Sequence, residues 1–157
     1  MMRRRARRTA VPDPVFRAFQ RSDEAACLAI FDDNCPMFSA PYEREDYLAF
    51  LRSAGTGYEV CTEGETTVGA YGIYSQSGQE ASLNWILLSP HHQGSGLGSA
   101  IMTRAIAAAR QHGASAITIA ASHKSAPFFA RFGANFLSEL EHGWGPDMHR
   151  VEMTLAI

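Results

Sequence analysis

Apolar positions along the chain switch between two spacings, and the switches mark the elements. Val15-Phe16-Arg17-Ala18-Phe19 predicts a short first strand, and Ser22-Asp23-Glu24 puts acids in the first turn of a helix running to about Phe31. Asp32-Asp33-Asn34-Cys35-Pro36 breaks that helix. Pro41 opens a second one, in which Tyr47, Leu48, Phe50 and Leu51 turn toward a core before Ala54-Gly55-Thr56-Gly57 ends it. Three strand-like runs follow, Tyr58–Thr62, Thr66–Tyr74 and Ala81–Leu88, separated by short turn-rich segments, which reads as an antiparallel meander. A helix from about Gly98 to His112 carries a stripe of Ile101, Met102, Ala105, Ile106 and Ala109 and is capped by Gly113. Ala116–Ala121 is a buried strand, Ser125–Phe132 a short helix stopped by Gly133, and Arg150–Ala156 a last strand with Val151, Met153 and Leu155 on one face. The predicted order is β-α-α-β-β-β-α-β-α-β-β.

At 157 residues the chain has room for one domain and one sizeable core. No apolar run approaches the roughly 18 residues of a membrane span, so no membrane partner is expected. Arg3, Arg4, Arg5, Arg7 and Arg8 sit together at the start. Residues 9–157 therefore hold nine basic against 16 acidic residues, a net charge of −7 where the whole chain has −2. An acidic body disfavours nucleic acid as a partner and attracts cationic small molecules. Residues 1–12 read as a disordered, solvated Arg-rich tail ahead of a single domain over 13–157; a targeting or nucleic-acid segment is the alternative. Cys27, Cys35 and Cys61 are odd in number and lack a Cys-x-x-Cys pair, so a reducing, cytoplasmic setting is expected, and the histidine spacing gives metal no support.

The chemistry concentrates in Gln93-Gly94-Ser95-Gly96-Leu97-Gly98-Ser99, between a strand end and an Ala-rich helix. Glycines let backbone N–H groups approach a ligand, and a helix start aims unpaired donors at it, so the turn suits a phosphate-like anion. A P-loop would need Gly-Lys-Ser/Thr, and no lysine is present; a dinucleotide fingerprint starting at Gly94 finds Ser99 where its third Gly or Ala belongs. The preceding strand also ends a meander rather than a parallel βαβ unit.

Gln93, Gly96 and Gly98 match the Gln/Arg-x-x-Gly-x-Gly/Ala signature of the GNAT acetyl-CoA-dependent N-acetyltransferases, and the chain resembles that family. Leu88-Ser89-Pro90, Ala121-Ser122, Ala126-Pro127-Phe128-Phe129 and Arg131-Phe132-Gly133-Ala134 resemble its flanking segments, and the likeness covers roughly residues 15–157. Asp32-Asp33-Asn34 and Gly143-Trp144-Gly145-Pro146 look like one branch of small bacterial members. The resemblance implies an α/β (α+β) domain: a mixed, mainly antiparallel sheet of six to seven strands flanked by about four helices. It implies acetyl-CoA as co-substrate and no metal. Pantetheine would lie along Ile86, Leu87 and Leu88 and the pyrophosphate on Gln93 to Ser99, with Phe129 beside the cofactor. Family members often pair through their sheets, so a homodimer is a state the resemblance allows.

Direct attack on the thioester by an amine leaves two proton transfers to arrange. The family often has a Glu on the fourth strand to deprotonate the amine; that position falls on Ser82. Simple alternation puts Ser82, Asn84 and Ile86 on one face, so a water held by Ser82 or Asn84 is expected to relay the proton, with Glu80 as a distant sink. Many members have a Tyr as donor to the thiolate where this chain has Phe129, leaving Ser122, His123 or water. For the acceptor, an amine of a small molecule or peptide, Asp32 and Asp33 at the first helix and Trp144 and His149 in a loop before the last strand are the candidates. For the acids around the first two helices, Glu43, Glu45 and Asp46 included, a solvated helical face is the plainer reading. A non-catalytic acyl-CoA-binding module is the rival function.

Overall fold

The computed structural model describes residues 13–53, 57–76, 78–92 and 94–157; the proposed tail over 1–12 and Gln93 lie outside them. The described residues form seven strands: β1 (Val15–Ala18), β2 (Tyr58–Glu63), β3 (Thr66–Ser75), β4 (Glu80–Leu88), β5 (Ala116–Ser122), β6 (Asn135–Gly145) and β7 (Met148–Ala156). They form one sheet ordered β1-β2-β3-β4-β5-β7-β6. Every neighbouring pair is antiparallel except β4 and β5. The helices are α1 (Glu24–Asp33), α2 (Arg44–Ser53), α3 (Leu97–Gln111) and α4 (Ala126–Ala130).

Alternation along the strands divides two cores between the sheet's faces. Tyr58, Val60 and Ala70 meet Phe31, Tyr47 and Leu51 of α1 and α2 on one face. Val68, Tyr71 and Ile73 meet Leu97, Ile101, Met102 and Ala105 of α3, with Phe129 of α4, on the other. Of the stripe expected from the spacing of α3, Ile101, Met102, Ala105 and Ala109 are buried and Ile106 is half-buried against the same core. Asp23 anchors the start of α1: it accepts hydrogen bonds from the Gln20 N–H at 2.8 Å and from the two terminal guanidinium nitrogens of Arg17 at 2.7 and 2.8 Å. The strand, first-helix and meander boundaries fall within two residues of the sequence reading.

Two expectations fail. Gly143-Trp144-Gly145-Pro146 is not a loop. β6 runs through Gly145, which pairs with Met148, so Trp144 lies in β6 and His149 in β7. A two-residue turn, Pro146-Asp147, is all that separates the strands, with Asp147 taking φ 59°. Second, alternation does not carry through β4. Gly72 pairs with Asn84 but Ala70 with Leu87, so Trp85 and Ile86 together oppose Tyr71 in a β-bulge. The extra residue flips the faces: Ile86 and Leu88 pack on the α3 side, while Trp85 and Leu87 pack against α1 and α2.

Candidate active site

The bulge and the parallel pair together make the site. β4 and β5 are in register only from Glu80 with Ala116 to Leu83 with Ile119. Beyond that point the strands part, and a cleft of about 710 Å³ opens between Asn84–Leu88 on one wall and Ala120–Ser122 on the other. A strand edge that lacks a neighbour presents backbone N–H and C=O groups to whatever enters.

Trp85 holds the bulge at φ 49°, a left-handed conformation rare for a bulky side chain. Buried hydrogen bonds and stacking secure it. The Tyr58 hydroxyl donates to the Trp85 carbonyl at 2.8 Å, so its one proton is committed and it must accept from the Tyr47 hydroxyl at 2.7 Å. The Trp85 ring stacks on Tyr47 with centroids 4.9 Å apart. Burial pushes both tyrosines well above the ordinary phenol range, so the chain of hydroxyls keeps its protons. At the end of β4, the buried Asn34 donates from Nδ2 to the carbonyls of Ile30 at 2.8 Å and Leu88 at 3.0 Å, tying α1 to the cleft wall.

Gly94 and Gly98 line the cleft. Gly96 caps α3 with φ 83°, and the space where its side chain would stand is open. Gly98 allows close packing, since a Cβ there would come within 2.7 Å of the Phe128 ring. The Ser95 hydroxyl donates to the His92 carbonyl at 2.5 Å, which stiffens the turn, and Leu97 points into the core, leaving its backbone to face outward. Ser99 is exposed on the first turn of α3. Lys124 and Arg131, which the sequence reading did not single out, add positive charge to the cleft wall.

Of the catalytic candidates, Asn84 and Ser122 line the cleft and Ser82 does not. Ser82 is buried where β4 still pairs with Thr118 of β5, before the strands part. The Ser122 hydroxyl is tied to Ser125: it accepts the Ser125 N–H at 3.1 Å and shares a hydrogen bond with its hydroxyl at 3.0 Å. Phe129 lines the cleft from α4 and is almost wholly buried.

The acceptor candidates separate. Trp144 lines the cleft. Its indole N–H donates to the Ala121 carbonyl at 2.9 Å, its own carbonyl accepts from the Tyr42 hydroxyl, and the Arg150 guanidinium lies 4.7 Å over its ring. Asp32, Asp33 and His149 are not among the lining residues. Asp32 is exposed and paired with Arg44 at 2.8 Å, and Asp33 lies 3.9 Å from the exposed His91. His149 is a pin within the hairpin: Nδ1 accepts the His142 N–H at 2.9 Å and its own N–H donates to Nδ1 of His123 at 3.0 Å. Glu43 does line the cleft, which the reading of a solvated acidic face did not foresee. It occupies the third position of the short 3-10 turn Pro41–Glu43, and its Oε2 reaches back to accept the Ala40 N–H at 3.0 Å.

Sheet order, one parted parallel pair and a glycine-capped helix beneath it define the fold of the N-acetyltransferases among solved structures. A GNAT-family protein from Desulfovibrio desulfuricans superposes with a TM-score of 0.75 at 23% identity, covering 92% of this chain and 99% of that one. The ribosomal-protein-S18-alanine N-acetyltransferase of Escherichia coli gives 0.74 at 18% identity, covering 92% and 94%. The yncA protein of Salmonella typhimurium, solved with its cofactor acetyl-CoA, gives 0.69 at 18%, also covering 92% and 94%. No curated protein matches the sequence significantly. The chain belongs to the acetyltransferase (GNAT) family, whose sequence model matches residues 25–134. Among the described residues no helix is long and apolar enough to cross a membrane.

Proposed function

We propose that the protein transfers an acetyl group from acetyl-CoA to the primary amine of a small molecule or peptide. The observation that carries this is the parting of β4 and β5 after Leu83 and Ile119, directly beside Gly94 and Gly98. The residues fit the donor. Unpaired edges of β4 and β5 offer backbone groups to an amide-bearing arm, open space stands over Gly94 and Gly96, and Lys124 and Arg131 supply positive charge for phosphates. The yncA structure with acetyl-CoA supports the donor, and the Escherichia coli enzyme's name, a ribosomal-protein alanine, supports an amine.

Acetyl-CoA, when bound, supplies an activated acetyl thioester. The protein's own groups do the rest. The glycine turn and the start of α3 hold the phosphates. The β4 edge, fixed at Trp85 by Tyr58 and at Leu88 by Asn34, would hold the thioester arm and offer its carbonyl a backbone N–H. Asn84 stands on the same wall, where it can hold a water. Phe129 offers no proton and the Ser122 hydroxyl is tied to Ser125, so neither would protonate the leaving sulfur; it would depart as a thiolate, which a thiol pKa of about 8.5 permits, and the second amine proton would pass to it or to water.

Calorimetry with acetyl-CoA tests the donor site. Wild type is expected to bind. Gly96→Ala, which adds only the backbone strain of about 1–2 kcal/mol for a left-handed non-glycine residue, is expected to weaken binding modestly, and Gly96→Glu to abolish it by adding negative charge. Failure of the folded wild type to bind overturns the proposal.

A further inference from the structure

The cleft's carboxylate comes from outside β4. Glu43 is the one carboxylate among the described residues that lines the cleft. It is half-buried, and one oxygen is held by the Ala40 N–H at 3.0 Å, while the other accepts no hydrogen bond from the described residues. Burial raises its carboxyl above the ordinary range, against the Ala40 N–H and with help from the charge of Asp46. The other acids near α1 and α2 are not in the cleft, and Asp32 is already paired with Arg44.

The surroundings describe what the carboxylate meets. Tyr42, its neighbour in the same short turn, donates its hydroxyl to the carbonyl of Trp144, so the turn and the β6–β7 hairpin join over one end of the cleft. Gly145 makes that contact feasible, since a Cβ there would overlap the Tyr42 hydroxyl. Phe31, Phe38, Trp144 and Met148 line the same cleft, so the wall is aromatic and apolar apart from Glu43, Asn34 and Ser39 on this side. A single anionic group in such a wall matches one positive charge on an apolar body. A polyamine would bury a second cation with no partner, at large cost.

We infer that Glu43 binds the acceptor's ammonium group and accepts its proton, and that the acceptor is a monoamine carried on an aromatic or apolar body. The inference rests on the acetyltransferase reading above. In the step, an N–H bond of the ammonium breaks, the proton bonds to the free carboxylate oxygen of Glu43, and the electron pair stays on nitrogen as the nucleophile. Product exit returns the proton to solvent. Desolvation favours this direction, because it raises the carboxyl's affinity for a proton and lowers the amine's.

Both tryptophans of the chain, Trp85 and Trp144, line the cleft, so intrinsic fluorescence reports occupancy without turnover. The experiment titrates 2-phenylethylamine, its neutral counterpart 2-phenylethanol, and putrescine into the CoA-saturated protein. The proteins are wild type, Glu43→Gln and Glu43→Asp. Gln keeps an oxygen for the Ala40 N–H, and a circular dichroism melt matching wild type confirms that the turn survives. Expected are binding of 2-phenylethylamine by wild type, roughly thirtyfold or greater weakening in Glu43→Gln, partial recovery in Glu43→Asp, no change for 2-phenylethanol, and poor binding of putrescine. Acetylation of 2-phenylethylamine should fall in kcat as well as in affinity in Glu43→Gln. Equal affinity for the amine in wild type and Glu43→Gln, equal affinity of wild type for amine and alcohol, or no amine binding by wild type each overturns the inference while CoA binding leaves the acetyltransferase reading standing. Absence of CoA binding in wild type overturns that reading instead.

Discussion

Replacing Tyr58 with Phe removes one oxygen from the buried hydroxyl chain that holds the β4 bulge, and the size of the effect follows from direction. Tyr58 donates to the Trp85 carbonyl and accepts from Tyr47, so Tyr58→Phe orphans an acceptor and a donor at once. Each buried orphan costs about 1–3 kcal/mol, which gives a loss of about 2–4 kcal/mol for the pair when the smaller part of that range applies. Tyr47→Phe leaves the Tyr58–Trp85 bond intact and frees only a lone pair on Tyr58, for a loss of about 1 kcal/mol. With a urea slope of about 2 kcal/mol/M for a domain this size, Tyr58→Phe should lower the unfolding midpoint by about 1–2 M and Tyr47→Phe by about 0.5 M. Urea unfolding followed by tryptophan fluorescence and by circular dichroism measures both. A Tyr47→Phe loss equal to or larger than that of Tyr58→Phe would refute the assigned direction of the chain. A Tyr58→Phe loss below about 0.5 kcal/mol would mean that the bulge does not depend on it.

Two further outcomes concern charge and thiols. Hydrogen bonds from Arg17 and the Gln20 N–H hold the Asp23 carboxyl below its ordinary value of 3.8, so its contribution is full above that pH and is lost as pH falls through the lower folded value. Wild-type stability should therefore drop in that acid window, and Asp23→Asn should be less stable at pH 7 with a shallower acid limb; parallel acid limbs in the two proteins would contradict it. Burial pushes the Cys27 and Cys61 thiols up to about 11, while Cys35 is only partly buried. A thiol-reactive dye on the native protein at pH 8 should label Cys35 first and reach Cys27 and Cys61 at the rate of unfolding; three equally fast thiols would show that α1 and β2 open locally.

What could be read from the residues was whatever repeats or punctuates. The stripe of Ile101, Met102, Ala105 and Ala109 repeats at helical spacing, and Gly94, Gly96 and Gly98 mark a turn that no other residue type would serve as well. The bulge could not be read, because Ser82-Leu83-Asn84-Trp85-Ile86-Leu87-Leu88 has no Gly or Pro to announce an inserted residue, and counting by twos across it misplaces Ile86. The hairpin at Trp144 was hidden by composition: two glycines and a proline read as a loop, although the strand continues through Gly145 to its turn. Glu43 was legible in principle. Pro41 at the first position and a Glu at the third is half of a capping box, and that pattern turns a carboxylate back toward its own helix start instead of out to water.

The four registered pairs between β4 and β5 have a mechanical meaning. They are the one seam in the sheet between a leaf of β1 to β4 and a leaf of β5 to β7, and they lie at one end of it, like the spine of an open book. A molecule seated between the pages and bonded to both becomes a second binding, joining the two leaves where their own pairing has stopped at Leu83 and Ile119. Amide hydrogen exchange at Leu87, Leu88 and Ala121, on the two facing walls of the cleft, then registers occupancy, and ligands that touch only one page leave exchange on the other unslowed.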